Sequence, residues 1–357
     1  MNEFFRPLTY YKWVYENIGR IYSFKAKSIE GWRKWRKKFR EKLVDLLGGF
    51  DHPSRPLSPK IVERKEFKEH VREKVLYWSD RFNLIPVYVL IPKNVEGRLP
   101  AVIAMHGHGY GKNDVVGIWE DGEDRVNPIS RGYQKDFALS LVRHGFLVIA
   151  PEQSGFGERR EREDVSMGPS SSSCWWITLW SLMLGKTTIG RRVWDAIKTI
   201  DYLETRNDVN KDRIGIMGIS GGGTTTLFTS ALDDRIKVTV VSGYLNTFKD
   251  SILTIKHCID NYIPGILKYG EMYDIASLIA PKPLFIESGT KDQIFPIKST
   301  KYAYEKVRRV YEFLGVTDRI DSEFFEGRHE ICGRKAYKFL VKWLNTDKDL
   351  LNPVNKS

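Results

Sequence analysis

The stretch from Asp212 to Thr224 restricts what this chain can fold into more than any other. Its first half, Arg213 to Met217, is apolar and rich in isoleucine, which reads as a buried strand. Its second half runs on through Leu227 and Phe228 to about Leu232 as a helix. Between them, Gly218-Ile219-Ser220-Gly221-Gly222 fits the pattern G-x-S-x-G. A serine on such a strand-to-helix bend takes a strained backbone and lifts its hydroxyl above the sheet. Glycines two before and two after it leave no Cβ where strand and helix crowd together. The helix that begins there aims backbone N–H groups at developing negative charge. A glycine-rich turn with an incidental serine would fit the same letters, so the surrounding chain has to decide.

The 357 residues, 41% hydrophobic, suffice for one sizeable core, and α/β domains of this length are commonly single. Cys174, Cys258 and Cys332 are too few for a disulfide framework and lack metal-ligand spacing, which suggests a reducing, cytoplasmic setting and leaves their pairing open. The N-terminus has no charged-then-apolar leader pattern, and the longest apolar run, Cys174 to Gly185, is too short to span a bilayer. Charged residues at 29% with scarce Gln, Cys and Met lean toward a thermophile.

The net charge of +12 is concentrated at one end, where residues 1–50 hold twelve Lys and Arg against five Asp and Glu. There Trp32, Trp35, Phe39, Leu43 and Leu46 recur at helical spacing, Gly48 and Gly49 close the run, and the basic residues lie mostly off the stripe. Such a helix could face nucleic acid or a membrane surface. An aromatic-rich stripe needs burial, however, so the expectation is a helix packed on the main domain, with no nucleic-acid partner. Residues 1–60 are thus read as a helical extension, 61–346 as the catalytic domain and 347–357 as a tail.

From about Ile61 strands begin, with Lys65–Glu73, Lys74–Ser79 and Asn83–Ile91 as an antiparallel start. Then follow strand Leu99–Met105, helix Asp136–His144, strand Phe146–Ala150 and helix Arg191–Thr205. Beyond Ser220 come strands Val238–Val241, Pro283–Gly289 and Ser322–Glu326 and helices Thr300–Phe313 and Arg334–Leu344. Alternating strands and helices imply right-handed crossovers and a mostly parallel central sheet flanked by helices, an α/β fold.

Four stations then fall at strand ends, the edge where open α/β sheets build sites. The loop His106-Gly107-His108-Gly109 follows one strand and can offer the His108 amide to an oxyanion; Gly221, after the serine, offers the other. Ser220 is the second station, Asp292 in Gly289-Thr-Lys-Asp292 the third, and His329 in Gly327-Arg-His329 the fourth. A serine hydroxyl is a poor nucleophile until a base takes its proton, and the base needs a carboxylate to fix its tautomer. His52 and His70 read as lying before the sheet, His144 as a helix cap, and His257 and Asp274 as away from any strand end; Asp321 could stand in for Asp292. His106 and His108 form an H-x-H pair, but no third ligand is spaced nearby, so neither metal nor cofactor is expected. Gly185-Lys-Thr-Thr188 looks like the end of a P-loop, yet Trp180 stands where a glycine is required.

The motifs His106-Gly-His-Gly-Tyr-Gly111, Pro151-Glu-Gln-Ser-Gly-Phe-Gly-Glu-Arg-Arg160, Gly218-Ile-Ser-Gly-Gly-Gly223, Asp274-Ile-Ala-Ser-Leu-Ile-Ala-Pro-Lys-Pro-Leu284 and Glu287-Ser-Gly-Thr-Lys-Asp-Gln-Ile-Phe-Pro296 give the chain a family likeness. Over about residues 83–344 it resembles the α/β-hydrolase superfamily, on the dienelactone-hydrolase and acetyl-xylan-esterase-like side. The resemblance implies hydrolysis of a small-molecule ester by a Ser220–His329–Asp292 triad. It departs from dienelactone hydrolases, whose nucleophile is cysteine. A serine peptidase of the prolyl-oligopeptidase type would share the triad, but about 60 residues before the sheet are too few for a propeller. A basic surface- or nucleic-acid-binding protein on a vestigial hydrolase fold is the reading from another class. Residues 161–186, with Trp175, Trp176 and Trp180, and residues 246–273 are expected to be lids or pocket walls. Crowded tryptophans beside the serine would favour short, acetyl-like acyl groups. Self-association is left open.

Overall fold

The computed structural model describes residues 5–93, 95–125 and 132–345. The strands are β1 (Lys60–Glu66), β2 (His70–Trp78), β3 (Leu84–Pro92), β4 (Leu99–Met105), β5 (Leu147–Pro151), β6 (Val209–Ile219), β7 (Ile236–Ser242), β8 (Leu284–Gly289) and β9 (Ile320–Phe325). They form one sheet in the order β1-β2-β3-β5-β4-β6-β7-β8-β9. β1, β2, β3 and β5 pair antiparallel, whereas β5, β4 and β6 to β9 run parallel. The helices are α1 (Pro7–Asn17), α2 (Ile29–Leu46), α3 (Lys112–Val115), α4 (Phe137–Arg143), α5 (Arg162–Val165), α6 (Cys174–Met183), α7 (Thr188–Thr205), α8 (Gly221–Leu232), α9 (Met272–Ser277), α10 (Ile297–Phe313) and α11 (Ala336–Leu344). The tail expected at 347–357, with residue 346, lies outside the described residues.

Period-two alternation divides the buried residues of the central strands between the two faces. In β4, Val102 and Ala104 pack with Phe137 and Leu141 of α4, while Ala101 and Ile103 pack with Ile200 and Leu203 of α7. In β6, Met217 and Ile219 take the first face and Ile214 and Ile216 the second. With both faces covered, the parallel strands can be apolar throughout.

The amino-terminal hairpin differs from the sequence expectation. The turn falls at Phe67–Glu69, so Lys65–Glu73 is not one strand, and His70 opens β2 instead of lying before the sheet. Every residue of β1 is exposed. Its pairing rests on the ladder to β2 and on ion pairs such as Arg64–Glu73 at 2.6 Å, so there is no alternation to detect. A charged edge strand also resists pairing with another chain.

The basic helix behaves as its stripe predicts. Ser28 caps α2 through Gly31 N–H, and Trp32, Phe39 and Leu43 are buried in the core shared with Leu227 and Phe228 of α8 and Ile275 of α9. Each fully buried side chain of this size is worth about 1.5–3 kcal/mol of gross burial. On the flank, Arg36 and Arg40 both reach Asp234 at 2.7 Å, and Arg40 also donates to Leu232 O at 2.6 Å, an orphan carbonyl at the end of α8. The Gly185–Thr188 stretch is a helix junction: Thr187 caps α7 through Gly190 N–H, and Lys186 donates to Gly48 O.

Candidate active site

Ser220 sits between β6 and α8 at φ 58°, ψ −125°, a region non-glycine residues seldom occupy. The neighbouring glycines explain how the bend closes. A Cβ at Gly222 would lie 2.0 Å from Met105 O, and one at Gly218 would lie 2.5 Å from Gly222 O. The bend is therefore pressed against the end of β4, and only glycine fits at either place. Ser220 stays 8% exposed, at the sheet edge where β4, β8 and β9 also end.

The loops after β8 and β9 bring Asp292 and His329 together. Asp292 Oδ2 lies 2.7 Å from His329 Nδ1, and Asp292 Oδ1 accepts from the amides of Ile294 and Phe295. The imidazole is stacked between Tyr133 at 5.4 Å and Phe295 at 5.7 Å. Its Nε2 is buried and makes no hydrogen bond among the described residues. A Cβ at Gly243, whose neighbour Ser242 accepts the Ser220 amide, would meet the ring at 3.0 Å, which places the histidine against the elbow. Asp321, the rival acid, lies within β9 and faces outward.

Sequence reading missed several supports. Tyr133 donates to His108 O at 2.6 Å and also contacts the Ser220 hydroxyl; burial raises its phenol, which keeps it a neutral donor. Nothing in its local sequence marks it. Glu287 lies beneath the histidine loop and accepts from Ser242 Oγ at 2.6 Å, Cys332 N at 3.0 Å and Gly333 N at 2.6 Å. Burial pushes its carboxyl up against those hydrogen bonds. Gln153 donates to His106 O and accepts from Thr225 Oγ1, tying the β4 loop to α8. Glu287 and Gln153 lie inside motifs visible in the sequence, but their buried contacts do not.

The two loop histidines diverge. His106 Nε2 accepts from Gln153 N at 3.0 Å and sits 3.3 Å from Glu152, so H-x-H does not act as one pair. Burial pushes Glu152 up, but the charge of Lys112 wins and holds it well below the ordinary carboxylate range. The His108 ring instead lies over Gly221, whose Cβ position would be 3.3 Å from Nδ1, and faces Cys174, Cys258 and Asp260. Ligand-type residues reach His108 in the fold from 66 residues and more along the chain, beyond any spacing visible around the H-x-H pair. A hydrogen bond from Cys258 and then the Arg192 charge pull the Cys174 thiol down, and Cys258 is pushed up in turn. All three cysteines are free thiols.

On α6, Trp175, Trp176 and Trp180 are 56%, 50% and 70% exposed. Trp176 and Trp180 line a cleft of about 1000 Å³ with Arg159, Arg160 and Arg191, and Ser220 is not among its walls. No helix among the described residues is long and apolar enough to cross a membrane.

Comparison with known proteins supplies the lineage. The model of the Abhydrolase family matches residues 12–326. "Putative hydrolase YtaP" of Bacillus subtilis (strain 168) is 32% identical over 87% of this chain and 100% of its own length. Among solved structures, a "putative acetyl xylan esterase" from Bacteroides fragilis NCTC 9343 superposes with a TM-score of 0.76 at 20% identity, covering 96% of this chain and 90% of that one. A glucuronoyl esterase from Solibacter usitatus gives 0.67 at 15% identity, covering 93% and 100%. At such identities the structures speak to fold alone. The family match starts inside the amino-terminal extension, well before residue 83 where the resemblance in sequence motifs begins. With its mostly parallel sheet, flanking helices and strand-to-helix serine bend, the chain belongs to the Abhydrolase family and has the α/β-hydrolase fold.

Proposed function

We propose that the protein is a serine carboxylic-ester hydrolase acting through an acyl-enzyme. Ser220 attacks the ester carbonyl, His329 Nε2 takes its proton and returns it to the leaving alcohol, and Asp292 holds the ring and stabilises the imidazolium. The observation that carries this reading is the bent Ser220 backbone set against a histidine whose far nitrogen is locked to a buried carboxylate at 2.7 Å. Two amides suit the oxyanion. Gly221 N–H opens α8, and in the β4 loop the Gly107 amide is already committed to Gln134 Oε1, which leaves His108 for the role.

A small-molecule ester is the substrate class, and short, acetyl-like acyl groups are favoured. The support is the crowding of Tyr133 and His108 around the serine, together with the acetyl xylan esterase among the structural neighbours. A peptidase gated by a propeller finds no support, because the described strands all join one sheet. A cytoplasmic setting agrees with three free thiols.

The test combines a fluorophosphonate probe with p-nitrophenyl esters of two to twelve acyl carbons. Labelling at Ser220 and the highest kcat/KM at two to four carbons are expected. Labelling elsewhere removes the triad, and a preference for eight or more carbons removes the acyl assignment.

A further inference from the structure

His108, Cys174, Cys258 and Asp260 converge beside the serine, and the proposed ester chemistry uses none of these side chains. Their ligand atoms, one each of imidazole nitrogen, two sulfurs and a carboxylate oxygen, all lie within 4.8 Å of one another. Two edges of the group are 3.3 Å, from Cys174 Sγ to Asp260 Oδ2, and 3.8 Å, from His108 Nε2 to Asp260 Oδ2. Ligands about 2.0–2.3 Å from a tetrahedral zinc ion are separated by roughly 3.3–3.8 Å. The donors come from three parts of the chain: the loop after β4, the first residue of α6 and the segment after β7. Two of the chain's three cysteines meet at this one point.

His108 Nε2 is buried, and the ring interacts with the Cys174 thiol and the Asp260 carboxylate, two of the other three members of the group. The surroundings are ordered as an outer layer. Arg192, itself buried, donates to Asp260 Oδ2 at 2.6 Å and to Cys174 Sγ at 3.3 Å, and is held by Ser154 O. Asn261 donates to Asp260 Oδ1 at 2.7 Å and so fixes the carboxylate plane. Two thiolates and a carboxylate bring three negative charges; Arg192 meets one, and a divalent cation meets the other two.

We propose that these four residues form a binding site for a divalent transition-metal ion of the zinc class, which clamps the active-site loops together. On binding, any thiol proton still present leaves to solvent as the metal–sulfur bond forms. With all four positions taken by protein the ion is structural, not a Lewis acid for the ester. The clamp reaches the serine by two routes. The His108 ring lies over Gly221, and Asn261 accepts from Thr224 Oγ1 at 3.2 Å, one turn into α8. The ion would therefore fix the loop that carries the His108 amide.

Cobalt(II) is the probe, added to the full chain under reducing conditions. One equivalent should bind, with intense thiolate-to-cobalt absorption in the near ultraviolet and the visible bands of a tetrahedral ion. X-ray absorption on the zinc-loaded protein should show two sulfurs at about 2.3 Å and two lighter ligands near 2.0 Å. Cys258→Ser should weaken binding by more than the roughly 10–100-fold that loss of an outer partner costs, and Cys174→Ser with Cys258→Ser should abolish the thiolate bands. Cys332→Ser and Ser220→Ala should leave them unchanged, which separates this proposal from the ester assignment. Absence of stoichiometric metal in the reduced wild type overturns the proposal, as does a cobalt spectrum that survives loss of both cysteines. A Cys174–Cys258 disulfide that re-forms after reduction in the presence of metal overturns it as well.

Discussion

Ser220 has a histidine with a carboxylate on each side, and the two pairs are built differently. On one side His329 and Asp292 meet at 2.7 Å, the ring lies between two aromatic faces, and the carboxylate's other oxygen is taken by backbone amides. On the other side His108 stands 3.8 Å from Asp260, whose strongest partner is Arg192. In the first pair the carboxylate serves the histidine. In the second it serves a guanidinium, and the imidazole turns to the Cys174 thiol instead. A carboxylate near a histidine is thus no sign of a catalytic pair; what its remaining atoms hold is the discriminating fact.

The comparison can be broken at several points. Ser220→Ala removes the atom both sides surround, and kcat should fall by on the order of 10⁴–10⁶ with thermal stability retained. Single-turnover and steady-state rates on p-nitrophenyl acetate measure it, and normal turnover would dissolve the assignment. Asp292→Asn keeps the shape but upsets the tautomer, so a loss of about 10⁴ in kcat is expected with little change in Tm. If that variant is near normal, the base is oriented by another acid.

Asp260→Asn should show the opposite signature. Breaking a buried pair and leaving the Arg192 charge uncompensated costs about 3–5 kcal/mol, read as a lower midpoint in urea, while kcat of the folded protein falls far less than in Asp292→Asn. A loss of kcat as deep as that of Asp292→Asn would make the two sides equivalent. Tyr133→Phe removes one hydrogen bond to the His108 carbonyl, worth about 0.5–1.5 kcal/mol, so kcat/KM should drop about tenfold or less. The smallest effects belong to Trp175→Ala, Trp176→Ala and Trp180→Ala. Exposed positions move stability by about 0.5 kcal/mol or less, and the preferred acyl length should stay put. A shift in that preference would bring α6 over the serine.

The His329 side was legible because each of its residues follows closely on a strand that ends at or just before a glycine. The His108 side was not, because Cys174, Cys258 and Asp260 arrive from segments with no fixed spacing to the histidine. Helices show the same limit. The aromatic stripe of α2 has a charged face opposite it, so periodicity predicted its burial. α6 is apolar on most sides, and its sequence could not say which face would be covered; Cys174 and Thr178 are buried while the tryptophans are not. Strand β1, exposed throughout, left no periodic trace at all.

The arginines of α2 have a mechanical consequence. Because Arg36 and Arg40 grip Asp234 and Leu232 at the far end of α8, a pull on the amino terminus would pass along α2 into the same helix that begins at Ser220, without first crossing the sheet. A protein tethered to a solid support by its first residues would carry its load through that route. Attachment chemistry directed to surface lysines elsewhere, such as Lys291 or Lys301, would spare it.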